Sequence, residues 1–352
     1  MMTTLDLHQY VQQRLQGVTQ QHPLNALGAT FQIALLELLT SGVLTDKDEE
    51  TITASLLGAF AATAPWCVGA FHTVSSPSLA WIRHPKSGKH ILAEPGTGAD
   101  FALIIRVSAN QFRVAIFQAK KSKEGFFSVD HISPARAAPK KHPEPQFLRL
   151  ADHGLAVLKA VGKRLPSFKQ LGWVHYLVYE DLAFTCSALT AYQPIYAFYK
   201  NAKQMVRASV ISSLHSGIKK KEITALFEKE WKSHLHANAL KANNAIDFSA
   251  LLTAGATKFA TPKRGFLELN SITEVQAFLN CAIDFMDVYD CCDDPSLTPI
   301  PLAKNTQKRI TRLDHQKALL NRSLSRIDFK VDPPPDPQLT TRVLGMKKIK
   351  VK

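Results

Sequence analysis

Gly96–Lys123, "GTGADFALIIRVSANQFRVAIFQAKKSK", is the stretch on which the fold turns. "FALIIRV" and "FRVAIFQA" are runs of β-branched, aromatic and other apolar residues, and the polar "SANQ" between them reads as a turn, so the spacing predicts an antiparallel hairpin. Both strands are apolar almost throughout, as expected of a sheet covered on both faces. Polar residues stand only at the ends. Asp100 opens the first strand, and Gln118 and Lys120 close the second. Residues two apart on a strand share a face, and the start of the first strand lies beside the end of the second. Asp100, Gln118 and Lys120 should therefore converge at one end of the sheet. Taken alone, these residues fit either a core hairpin with polar ends or a site for a divalent cation.

Working outward, a loop with Pro134, Pro139, Pro143 and Pro145 follows the hairpin. An amphipathic helix is expected over Gln146–Leu165 and a third strong strand over Gly172–Glu180. Upstream, short strands are expected at "LAWIRH" and near "HILAE". Residues 1–43 read as helical, with an apolar helix ending at Gly42. A further helix is expected from a capping box formed by Thr45 and Asp48, with Pro65 stopping it. Helices before, between and around these strands make an α/β fold with a mixed central sheet flanked by helices. Beyond about residue 200 the pattern turns mainly helical. "VDPPPDP" (Val331–Pro337) admits neither helix nor central strand and leads into a basic tail. The expected organisation is residues 1–200 as one domain, 201–330 as a helical region for recognition, sensing or oligomerisation, and 331–352 as linker and tail.

The net charge is +14, and it is uneven. Arg106–Lys169 holds thirteen Lys or Arg against four Asp or Glu, and Lys304–Lys352 repeats those counts. Two concentrated basic blocks point to a polyanionic partner, because each cation that neutralises a phosphate releases condensed counterions. Five scattered cysteines without a CxxC pair, a polar amphipathic start and only short apolar runs lead to the expectation of a reduced, cytoplasmic protein without a membrane span. Other motifs carry less. "HLH" at His234 and His236 points to two sides of a helix. His175 alternates with apolar residues and reads as a satisfied strand histidine. "CCDD" (Cys291–Asp294) lacks a second cluster at zinc spacing. No phosphate-binding P-loop occurs.

"GAD" at Gly98–Asp100 and "QAK" at Gln118–Lys120 resemble the aspartate motif and the glutamine variant of the (D/E)xK motif of the PD-(D/E)XK, or restriction-endonuclease-like, nucleases. That variant is familiar from modification-dependent restriction enzymes and phage-defence nucleases. The family's order, helix–strand–strand–strand–helix–strand, fits residues 46–180. The resemblance implies a magnesium-dependent endonuclease, with manganese as an alternative metal, acting on DNA rather than RNA in restriction or anti-phage defence. It also implies Asp100 and a glutamate as metal ligands, Gln118 as a weaker ligand and Lys120 as the catalytic cation. "EETITASLL" (Glu49–Leu57) resembles the acidic helix that completes such sites. Glu49 is preferred over Glu50, since it precedes Thr53 by one turn, and Glu94 is a further candidate. A neutral Gln118 binds a cation less well than a carboxylate, so other acids should compensate. Lys121, Lys123, Lys140 and Lys141 are expected to contact phosphates, and Gln146 matches a polar position near the site in relatives. A homo-oligomer or a partner protein of a defence system is also expected. Two alternatives remain: an interbacterial nuclease toxin, and a catalytically inactive nucleic-acid-binding or assembly module. Retention of Asp100, Gln118 and Lys120 together weighs against the inactive module.

Overall fold

The computed structural model describes residues 23, 25–71, 77–84, 86, 92–108, 110–132, 143–215, 222–235, 240–242, 244–257 and 265–282, with residues 214, 282 and 288–290 by their backbone alone. The chain divides into two compact units, Met1–Gln307 and Lys308–Lys352. The described fold belongs to the first. The expected N-terminal helix before residue 23, the basic helix and tail after residue 303, Lys140, Lys141, His236 and "CCDD" all lie outside the described residues.

Helix α1 (Ala26–Thr40) is buried over most of its length, as its mainly apolar composition demands. The Asn25 side chain accepts the Gly28 N–H and caps it. After the short α2 (Val43–Asp46) comes α3 (Glu49–Ala70). Here the expected capping box gives way to a simpler arrangement. Thr45 belongs to α2, where its hydroxyl bonds Gly42 O, and Asp48 is the cap, accepting the Thr51 N–H at 2.7 Å. Nor does Pro65 stop the helix. Proline forfeits one i→i−4 bond, but beyond it Cys67 and Ala70 pack against Ala26, Ala29 and Ile33 of α1, and that burial holds the last turn in place. Among the described residues α3 is the one helix long and apolar enough to cross a membrane; it lies against α1 and the sheet, Phe60 meeting Phe31 edge-on at 5.1 Å.

Strands β1 (Ser78–Arg83), β2 (Phe101–Ser108) and β3 (Gln111–Lys121) form an antiparallel meander. Between the first two sits a one-turn helix, α4 (Glu94–Thr97); the start of the strand expected near "HILAE", His90 and Ile91, lies outside the described residues. A two-stranded flap begins with β4 (Phe126–Phe127), and α5 (Gln146–Ala160) then crosses to β5 (Val174–Glu180), which runs parallel to β3. β6 (Ala183–Ala188) adds antiparallel to β5. The order helix–strand–strand–strand–helix–strand is thus present over Glu49–Glu180.

The stretch after residue 200 is not solely helical. Alongside α6 (Gln193–His215), α7 (Ile223–Lys232), α8 (Phe248–Ala256) and α9 (Ile272–Ala282) it supplies β7 (Leu240–Lys241), which pairs with β4, and β8 (Ile246–Asp247), β9 (Leu267–Leu269) and β10 (Val288–Asp290). The last three join the main sheet, giving the order β10-β1-β2-β3-β5-β6-β8, with β9 beside the first half of β3. Phe248, Leu251 and Leu252 of α8 share one core with Phe31, Leu56, Phe60, Phe101 and Phe117. Segments on either side of residue 200 therefore share one mixed sheet and one core.

Candidate active site

The register of the meander sets the site. Phe101 pairs with Phe117, so Asp100, one residue before β2, falls level with Gln118. The Asp100 backbone is pinned from both sides: its N–H donates to Phe117 O at 2.9 Å and its carbonyl accepts His84 N–H at 2.7 Å. Asp100 Oδ2 accepts two bonds, from the Gln118 amide Nε2 at 2.5 Å and from Ala119 N–H at 2.7 Å. Its other oxygen, Oδ1, is buried and has no hydrogen-bond partner. A buried acceptor with an unmade bond costs about 1–3 kcal/mol; several buried side-chain atoms share that status, and this one is singled out by the acids Glu94 and Glu49 and the cation Lys120 around it.

Gln146, the first residue of α5, extends the network. Its Nε2 donates to Gln118 Oε1 at 3.0 Å and to Glu94 Oε1 at 3.3 Å, while its own Oε1 is buried and unpartnered. Gln118 is therefore a bridge between Asp100 and Gln146, with its carbonyl oxygen already engaged. Gly98 makes this closeness possible. It ends α4 at φ +72°, and a Cβ there would come within 2.8 Å of Gln146 O and 2.9 Å of Leu150 N. Only glycine lets α4, bearing Glu94, lie directly on the first turn of α5.

Glu49 approaches from α3. One oxygen lies 3.7 Å from Lys120 Nζ and the other accepts Lys121 N–H at 3.3 Å. Thr53 fixes that turn: its hydroxyl donates to Glu49 O and meets Tyr179 OH on β5, both at 2.8 Å. Glu50 is turned elsewhere and pairs with Lys86 at 2.7 Å. Asp100, Gln118, Lys120, Glu49, Glu94 and Gln146 thus come together at one sheet end. Lys121, for which a phosphate contact was expected, already has protein partners. It bonds the carbonyls of Thr45 and Lys47 at 2.8 Å each, tying the α2–α3 corner to β3. Lys123 is exposed on the turn before β4.

Burial pushes the Asp100 carboxyl well above the usual carboxylate range; the charges of Glu94 and Glu49 add to the rise, and Lys120 and the Ala119 N–H oppose it. Glu94 is raised too, by burial first, with Lys86 and Lys120 pulling the other way. Sequence reasoning missed Lys86 and His131. Burial would pull the Lys86 ammonium down, but Glu50, Glu94 and Asp100 outweigh it and hold it up. Burial, Lys120 and Arg149 push the His131 imidazole below its ordinary value, and its backbone carbonyl accepts Gln146 N–H at 2.8 Å. Neither residue sits at a spacing that would have signalled it. His175, expected as a satisfied strand histidine, is only half satisfied: it is buried, bonded through Nε2 to Gly265 O at 2.8 Å and pushed down to about 4 by that burial, while its Nδ1 has no hydrogen-bond partner.

Among the described residues, no three His, Cys, Asp or Glu side chains gather closely enough to hold a metal ion by themselves. Magnesium, however, commonly takes one or two carboxylates and keeps several waters. The donors here have the right chemistry for it, all hard oxygens: Asp100 Oδ1, the Glu94 and Glu49 carboxylates and Gln146 Oε1. Compared with family models, curated proteins and solved structures, the chain gives no match.

Proposed function

We propose that the protein is a magnesium-dependent endonuclease of the PD-(D/E)XK kind, cutting DNA in bacterial restriction or anti-phage defence. The observation that carries this reading is the buried, unpartnered Asp100 Oδ1 at the sheet end where Lys120, Glu49 and Glu94 converge. The order of elements over Glu49–Glu180 and the basic surplus between Arg106 and Lys169 agree with it. The defence setting rests on the resemblance alone.

Asp100 and Glu94, with Glu49 as the third acid, are the residues that would hold the cation; Glu50 is committed to Lys86 and drops behind them. A bound magnesium supplies Lewis acidity and a more acidic water. The rest falls to side chains. Gln118 holds Asp100 Oδ2 in place and leaves Oδ1 without a protein partner. Glu49 steadies Lys120, whose ammonium orients the attacking water and stabilises the charge that develops on the phosphate oxygens. Gln146, the polar position expected near the site, fixes both Gln118 and Glu94.

The test is an incubation of supercoiled plasmid, linear DNA and RNA with the purified chain, in magnesium or in EDTA, beside Lys120→Ala and Asp100→Ala. The reading predicts DNA cleavage in magnesium that both substitutions abolish. Cleavage that persists in either variant removes the site assignment, and DNA binding without cleavage under every condition favours the inactive module.

A further inference from the structure

The first turn of α3 carries two glutamates, and each holds one lysine. Glu49 pairs with Lys120 of β3, and Glu50 pairs with Lys86 at 2.7 Å, from the segment that follows β1. The two ammonium groups differ in what else they face. His84, two residues before Lys86, gives its N–H to Asp100 O at 2.7 Å, which sets this segment against the Asp100 end of the sheet, and the charges of Glu94 and Asp100 help to hold the Lys86 ammonium up. The acidic end of the sheet thus already contains a cation, delivered by the chain itself.

We propose that Lys86, held by Glu50, is the built-in counter-ion of this acidic site: it shares Glu94 and Asp100 with the divalent cation and weakens that cation's binding. The inference rests on the nuclease reading only for the existence of the cation site. Three carboxylates close together repel one another, and a site left so would draw any hard cation strongly. An ammonium among them offsets part of that charge, and a divalent ion entering beside Asp100 and Glu94 meets its repulsion. Lys86 is about one-third exposed, with side-chain exposure of 37%, so its stem has room to swing away while Glu50 retains it. Lys86 is in this account a positioning residue. It sets the magnesium concentration at which the site fills.

The test is isothermal titration of magnesium into the full chain without nucleic acid, for wild type, Lys86→Gln and Lys86→Arg. Lys86→Gln removes the charge at similar length and is expected to bind magnesium about tenfold tighter, the scale of one charge–charge interaction at a partly exposed site. Lys86→Arg keeps the charge and should match wild type. A gain in affinity cannot arise from misfolding, so damaged packing does not mimic the expected result. If wild type binds magnesium and Lys86→Gln binds it equally or more weakly, the counter-ion role is wrong while the cation site stands. Tightening in both variants would point to bulk rather than charge and would also overturn it. Absence of magnesium binding in all three proteins would remove the cation site and this inference with it.

Discussion

Strand β3 has one buried ion near each end, and the two are treated oppositely. Near its start, Arg113 sends one guanidinium nitrogen to three carbonyls that end α8, Ala254, Gly255 and Thr257, at 3.3, 2.8 and 2.7 Å, and Glu268 of β9 lies 3.9 Å from its Nε. Near its close, Asp100 has one oxygen fully used and one without a partner, with Glu94 and Glu49 adding like charge. The Arg113 end reads as structure. A charge whose work is to hold a helix terminus is given acceptors, and basic groups suit helix C-termini. At the Asp100 end the fold tolerates an unmade bond and mutual repulsion, which natural proteins concentrate where a ligand completes the site.

The sharpest way to break this contrast is Lys120→Ala. On the proposed reading, cleavage falls about 10²–10³-fold, the usual cost of losing one transition-state stabilising group, while the thermal midpoint stays near wild type. A plasmid-nicking rate beside a melting curve checks both halves. At the other end, Arg113→Met should do the reverse. It strands buried carbonyls, so denaturant titration should show a loss of about 3 kcal/mol, at about 1–3 kcal/mol for each unpaired group. If Arg113→Met left stability intact, the structural assignment of that end would be wrong.

Gly98→Ala probes the link between α4 and α5. Left-handed backbone costs about 1–2 kcal/mol with a side chain, and the new Cβ overlaps the backbone of Gln146 and Leu150. Urea unfolding should show at least that loss, and cleavage should weaken as Glu94 is displaced. Asp100→Asn has the smallest effect and the opposite sign. Asn can keep the two bonds that Oδ2 accepts while removing the buried charge. Because the folded pKa of Asp100 lies above its unfolded value, the penalty is fully present above the folded pKa and fades as pH falls through it. The variant should therefore melt higher than wild type at neutral pH, and the gap should close on acidification. Parallel melts across pH test this directly.

Much of the comparison was legible before the structure. The hairpin, α5 and β5 announce themselves as apolar runs of the right length, and a hairpin brings the start of β2 beside the end of β3, so the meeting of Asp100, Gln118 and Lys120 was predictable; the register shift between Arg106 and Ser108 that sets Asp100 level with Gln118 was not. β6 was not, because "AFTCSA" has few strong strand formers and becomes a strand by pairing with β5. β8, β9 and β10 are two or three residues long and equally depend on their neighbours. The α3 cap was misplaced because Thr45 and Asp48 both look like caps, and only the intervening α2 decides between them. The ties from Gln146 to Gln118 and Glu94 depend on how α5 docks on Gly98, and the Lys86–Glu50 pair joins a loop to a helix. Neither has a spacing that a sequence can display.

The central claim is that the spare oxygen of Asp100 is one wall of a divalent-cation site. It is tested most directly by thermal melting of wild type and Asp100→Asn with and without millimolar magnesium, since a ligand that binds the folded state stabilises it. The account predicts that magnesium raises the wild-type midpoint and leaves Asp100→Asn unmoved. An equal shift in both proteins, or no shift in wild type, would contradict it.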